Sequence, residues 1–126
     1  MAAVAAGARA AGGLVVGIRP DRDRSDAGDL SVVLSTNLGE ARNAVLVASA
    51  DAVIVVGGSW GTLSELALAM RRARELPAGA LPVVSLFGWR ILDADGQPVP
   101  GVLTARDPEH AVALALGDGA TAATQR

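Results

Sequence analysis

The chain has 126 residues, 51% of them hydrophobic, and a formal net charge of −2. That length holds one core of ordinary size, and the near balance of charge excludes the strongly basic surface that binds nucleic acid. The absence of cysteine excludes disulfides, thiolate nucleophiles and Cys-ligated zinc, and the absence of lysine excludes a Schiff base to pyridoxal phosphate and a lysine-bearing triphosphate loop.

Aromatic residues make up only 2% of the chain, so the core is built from Ala, Val and Leu. Each such side chain buries little area, and association into a homo-oligomer, a dimer or tetramer, is the expectation. His110 is the single histidine and lies in a DPEH segment that reads as a helix start. A histidine metal site or a Ser–His triad is therefore disfavoured, and neither metal nor cofactor is expected. MAAVAAGARAAGG lacks a basic n-region, and Arg9 interrupts it short of a membrane span, so the expected setting is cytoplasmic with no membrane partner.

In chain order, Ala2 to Ala11 reads as a short helix closed by Gly12-Gly13. Leu14 to Ile18 is an apolar run suited to a buried strand. Arg19 to Asp29 is a charged loop, read either as solvated surface or as a lid whose Arg19, Arg22 and Arg24 face a phosphate. Ser31 to Ser35 predicts a second strand. Asn37 then caps a helix to Ala50, with Glu40 closing a capping box and Ala41, Ala44, Val45 and Ala48 forming its apolar face.

Ala52 to Val56 predicts a third strand, apolar throughout as when both faces are covered. A helix from Leu63 to about Glu75 follows, with Leu66, Ala67, Met70 and Ala73 on one side. Arg71, Arg72 and Arg74 fall in its last turns, where cations complement the helix dipole. Pro77 to Pro82 connects to a strand at Val83 to Phe87, and Gly88 to Gly101 predicts a turn or small hairpin around Asp95-Gly96. Val102 to Ala105 is a further strand, and Asp107-Pro108 opens a closing helix to about Leu116. Strands alternating with helices at this spacing predict an α/β fold with an open, mostly parallel sheet, a single domain over residues 1–118 and a frayed tail over 119–126.

The segment AVIVVGGSWGTLSE, Ala52 to Glu65, runs from a strand through a glycine-rich turn into a helix. The first amides of a helix lack intrahelical partners, and an open parallel sheet binds ligands at its carboxyl ends. Gly57, Gly58, Ser59, Gly61 and Thr62 are thus the candidate phosphate-binding residues. The spacing is neither GxGxxG nor GxxxxGK[ST], which favours a monophosphate over a triphosphate. Glu65 reads either as the partner of Thr62 in a capping box or as a group facing the sugar of a bound nucleotide. Arg42 and Asn43 read either as helix surface or as ligand contacts, and Trp60 as a rim or lid residue.

GGSWGTLSE resembles the PGGxGTxxE signature of the LOG family, the cytokinin-activating phosphoribohydrolases often labelled "lysine decarboxylase-like". LGEARNAVLVASADAVIVVGG is similar to a sub-branch with ARN in place of an arginine–lysine pair, a sub-branch similar in turn to molybdenum cofactor carrier proteins. The resemblance runs from Met1 to about Phe87. It implies a Rossmann-like fold, phosphate held by Gly57, Gly58, Gly61 and Thr62, and N-glycosidic cleavage of a nucleoside monophosphate by Arg42 and Glu65. Three departures accompany it. Val56 replaces the motif proline, and Asn43 stands where typical enzymes have lysine. The strand, helix and glycine-rich segment that precede this point in the family are expected to be missing before Met1. The implied functions are an N-glycosidase, a non-catalytic carrier or sensor of a phosphorylated ligand, or an inactive member acting through self-association.

Overall fold

A computed structural model describes residues 1–23 and 28–118. The expectations for Arg24 and for the tail from 119 lie outside these residues. The chain divides into two compact units, Met1–Leu46 and Val47–Arg126.

In the first unit, α1 (Ala2–Ala10) ends as its glycines predict. Gly12 turns through φ 78°, and the Gly13 N–H donates to the Ala8 carbonyl at 2.7 Å. Strand β1 (Val16–Arg19) starts later than expected because the Val15 N–H is taken by the Ser31 hydroxyl at 3.0 Å. It pairs in parallel with β2 (Val32–Ser35), Val16 opposite Val32. Arg19 ends β1 in ion pairs with Asp21 and Asp23, both at 3.4 Å, and Arg22 is exposed.

The helix expected from Asn37 to Ala50 is shorter and is not capped by Asn37. Asn37 and Gly39 both adopt left-handed φ, 53° and 54°, whereas an N-cap residue is extended. The chain makes a single 3₁₀ turn at Gly39–Ala41 before α2 (Arg42–Ala48), and the Glu40 capping box does not form. The predicted apolar face is also wrong. Ala41, Ala44, Val45 and Ala48 are exposed, while Asn43 and Val47, one turn apart, are buried. Val47, where the second unit begins, lies in that unit's core, and an alanine methyl removes too little surface from water to orient a helix.

The second unit is a three-stranded parallel sheet in the order β3 (Val53–Val56), β4 (Val83–Leu86), β5 (Val102–Ala105). Val53, Val83 and Val102 stand in register, as do Val56, Leu86 and Ala105. Alternation along the strands divides the core. Val53, Val55, Val83 and Val102 pack with Leu66 and Ala69 of α3 (Trp60–Glu75), whereas Val84, Leu86 and Ala105 pack with Ala111 of α4 (Pro108–Ala115). All four residues of β4 are buried. The expectation that β3 is covered on both faces fails: Ile54 and Val56, on the α4 side, keep 37% and 43% of their surface exposed. Between β4 and β5 the expected hairpin forms around Asp93, whose carboxylate accepts the amides of Asp95 and Gln97, with a single bridge from Leu92 to Pro98.

Candidate functional site

The glycine turn leaves β3 at its carboxyl end, where the parallel register also brings the end of β4. Gly57 turns at φ 82°, a left-handed conformation that favours glycine, and its N–H donates to the Leu86 carbonyl at 3.0 Å. Ser59 is the N-cap of α3. Its backbone is extended, its Oγ accepts the Thr62 N–H at 3.1 Å, and the two hydroxyls lie 2.7 Å apart. The Leu63 N–H donates to the Ser59 carbonyl. The helix thus starts earlier than the Leu63 predicted from sequence, with Thr62 inside the first turn rather than at the cap. The Thr62–Glu65 capping box is therefore not the one used, and Glu65 is released from that role. The amides of Trp60 and Gly61, the first two of the helix, have no acceptor among the described residues.

Gly58 and Gly61 are not explained by the chain's own geometry. Neither has positive φ. A Cβ on Gly58 meets nothing within 4 Å, and one on Gly61 meets only the Ser59 hydroxyl at 3.7 Å, an ordinary contact. Glycine at both leaves bare backbone facing open space, the arrangement that lets an anion approach amides.

Two residues that support the turn were not predicted as part of the site. A Cβ on Gly88 falls 2.4 Å from the Gly57 carbonyl oxygen, so only glycine allows the segments after β3 and β4 to touch. Trp89 donates its indole N–H to the Ser59 carbonyl at 2.9 Å and packs against the α3 core. Its ring lies 5.2 Å from that of Trp60, tilted by 39°. The available signal was composition: a second tryptophan in a chain of so few aromatics.

Gly57, Gly58, Ser59, Gly61, Thr62 and Glu65 are brought together in one strand–turn–helix of the second unit, with Glu65 half-buried one turn beyond Thr62. Arg42 and Asn43 belong to the first unit. There the half-buried Arg42 donates to the Ile18 carbonyl at 3.2 Å, and Asn43 is 1% exposed. His110 folds back in the first turn of α4, its Nδ1 accepting the Arg106 N–H at 3.3 Å, while the Asp107 carboxylate caps the helix through the His110 N–H. Among the described residues no group of three or more His, Asp or Glu side chains is placed to hold a metal, and no helix is long and apolar enough to cross a membrane.

Fold and turn together define a Rossmann-like α/β protein with parallel sheets flanked by helices. Residues 1–88 match the SLOG cluster4 family, and the chain belongs to that family. It is 39% identical over 100 residues to an uncharacterized protein of Archaeoglobus fulgidus, covering 79% of this chain and 65% of that one. The chain thus spans a little under two thirds of the length of this relative. Its fold is similar to that of the molybdenum cofactor binding protein from the phototrophic bacterium Rippkaea orientalis, with a TM-score of 0.70 and 30% identity over 90% of this chain and 68% of that one. It is also similar to the structural-genomics target TM1055, with a TM-score of 0.66 and 30% identity over 86% of this chain and 67% of that one. These likenesses bear out the LOG-like resemblance and its branch near molybdenum cofactor carriers.

Proposed function

We propose that the Gly57–Thr62 turn holds the phosphate of a small phosphorylated ligand, and that the protein is a non-catalytic carrier or sensor of it. The observation that carries this reading is the pair Gly58 and Gly61, glycines that neither the backbone nor the packing of the chain requires. The amides of Trp60 and Gly61 are the donors, strengthened by the dipole of a sixteen-residue helix. Similarity to a protein named for binding the molybdenum cofactor supports a small-molecule ligand. In this reading residues 1–118 work as one domain, in the cytoplasm, within a dimer or tetramer.

A second reading, N-glycosidic cleavage of a nucleoside monophosphate, is favoured by Glu65. Ser59 performs the capping that would otherwise occupy it, leaving a half-buried carboxylate one turn from the phosphate position. There it stabilises a cationic sugar at the transition state. Calorimetric titration of the full chain with AMP, in competition with inorganic phosphate, combined with chromatography for free adenine, tests both. Competitive binding without base release supports the carrier. Adenine release that disappears in Glu65→Ala replaces it with the enzyme. Binding that phosphate does not displace overturns both.

A further inference from the structure

The chain contains three aromatic residues in all, two tryptophans and one phenylalanine, and all three stand at the carboxyl ends of β3 and β4. Trp60 is the first residue of α3, and Phe87 and Trp89 immediately follow β4. Trp89 is half-buried and tied to the turn by its indole N–H. It is a fixed support, and the Trp60 ring rests against it at 5.2 Å. Trp60 itself keeps 78% of its surface exposed, and Phe87 70%. Phe87 also holds φ 54°, a conformation in which a bulky side chain is uncommon.

A core otherwise made of Val, Leu and Ala has use for large rings, yet two of the three face solvent. They stand beside amides placed for a phosphate; Trp60 supplies both its N–H to that position and its indole to the rim. From these features, and resting on the phosphate-binding reading above, we propose that Trp60, backed by Trp89, is a stacking platform for a planar nitrogen heterocycle carried by the phosphorylated ligand. Stacking on an indole tolerates any flat π-face, so purines and pterins share the chemistry. The site therefore selects phosphorylated heterocycles over sugar phosphates.

Tryptophan fluorescence and calorimetry of the full chain with ribose 5-phosphate, AMP and a pterin monophosphate test this. The expected result is that one or both ring-bearing ligands bind about tenfold or more tighter than ribose 5-phosphate and quench the fluorescence. The tighter of the two identifies the ring. Trp60→Ala removes that advantage, and Trp60→Phe restores most of it. Equal affinity for all three ligands overturns the platform while leaving the phosphate turn standing, whereas failure of all three to bind removes the phosphate reading itself. A Trp60→Ala variant that shifts sedimentation toward the monomer with ligand affinities unchanged also overturns the proposal, because a second copy then covers the rings.

Discussion

Gly58 and Gly61 allow the chain's own needs to be separated from those of a ligand. Gly61 lies in the first turn of α3, where alanine is the better helix former. Gly61→Ala is accordingly expected to leave stability unchanged or raise it by up to about 1 kcal/mol, and Gly58→Ala to be neutral. Both are expected to weaken AMP binding about tenfold or more, because each methyl enters the space an anion needs. Thermal denaturation beside calorimetric titration reads the two effects on the same samples. Loss of binding accompanied by loss of stability, or binding left intact, would show that these glycines serve no ligand. Gly88 belongs to the opposite class, since its Cβ would strike the Gly57 carbonyl.

Helix α3 is positioned by contacts at both ends. At its start Ser59 satisfies the Thr62 amide, and near its end Arg72 donates to the carbonyls of Val47 and Ala50, where the preceding helix finishes. This differs from the expectation for Arg72, which was to complement the dipole of its own helix. The half-buried guanidinium instead serves carbonyls that α2 leaves without intrahelical donors. Arg71 behaves more nearly as a surface residue, in an exposed ion pair with Glu75 at 3.6 Å. Truncation by Arg72→Ala is expected to cost about 2 kcal/mol, the scale of hydrogen bonds from a charged donor. Urea denaturation measures that loss, and a change below about 0.5 kcal/mol would show that solvent replaces the guanidinium at no cost.

Across the molecule, apolar side chains remain at the surface of each unit. Val16, Val32 and Leu34 are 43–48% exposed in the first, and Ile54 and Val56 lie beyond the cover of α4 in the second. Such surface in a chain with small core residues is the basis for expecting self-association. Sedimentation velocity of the full chain is expected to show a dimer or larger species, and Ile54→Asp to shift it toward the monomer. A monomeric wild type, or an assembly indifferent to the added charge, would place the contact elsewhere or remove it.

Much of this architecture is legible in the sequence. The β-branched runs read as strands at Ala52–Val56 and Val83–Phe87 each formed one residue shorter, and the glycines after α1 and the Asp107-Pro108 helix start, local signals like them, formed as read. The glycine turn was equally plain, since strand, glycines and helix are adjacent in the chain. Three features were not legible, because each depends on residues distant in sequence. Val47 is buried with Val55, Leu66 and Ala69, while the more numerous alanines of α2 are exposed. Two serine and threonine hydroxyls competed for one helix start, and the cap went to Ser59, whose carbonyl also receives the Trp89 indole N–H. The aromatic cluster exists because parallel pairing sets the end of β4 beside the end of β3. Local propensity specifies which elements form; contacts between elements select their faces, their caps and the surroundings of the site.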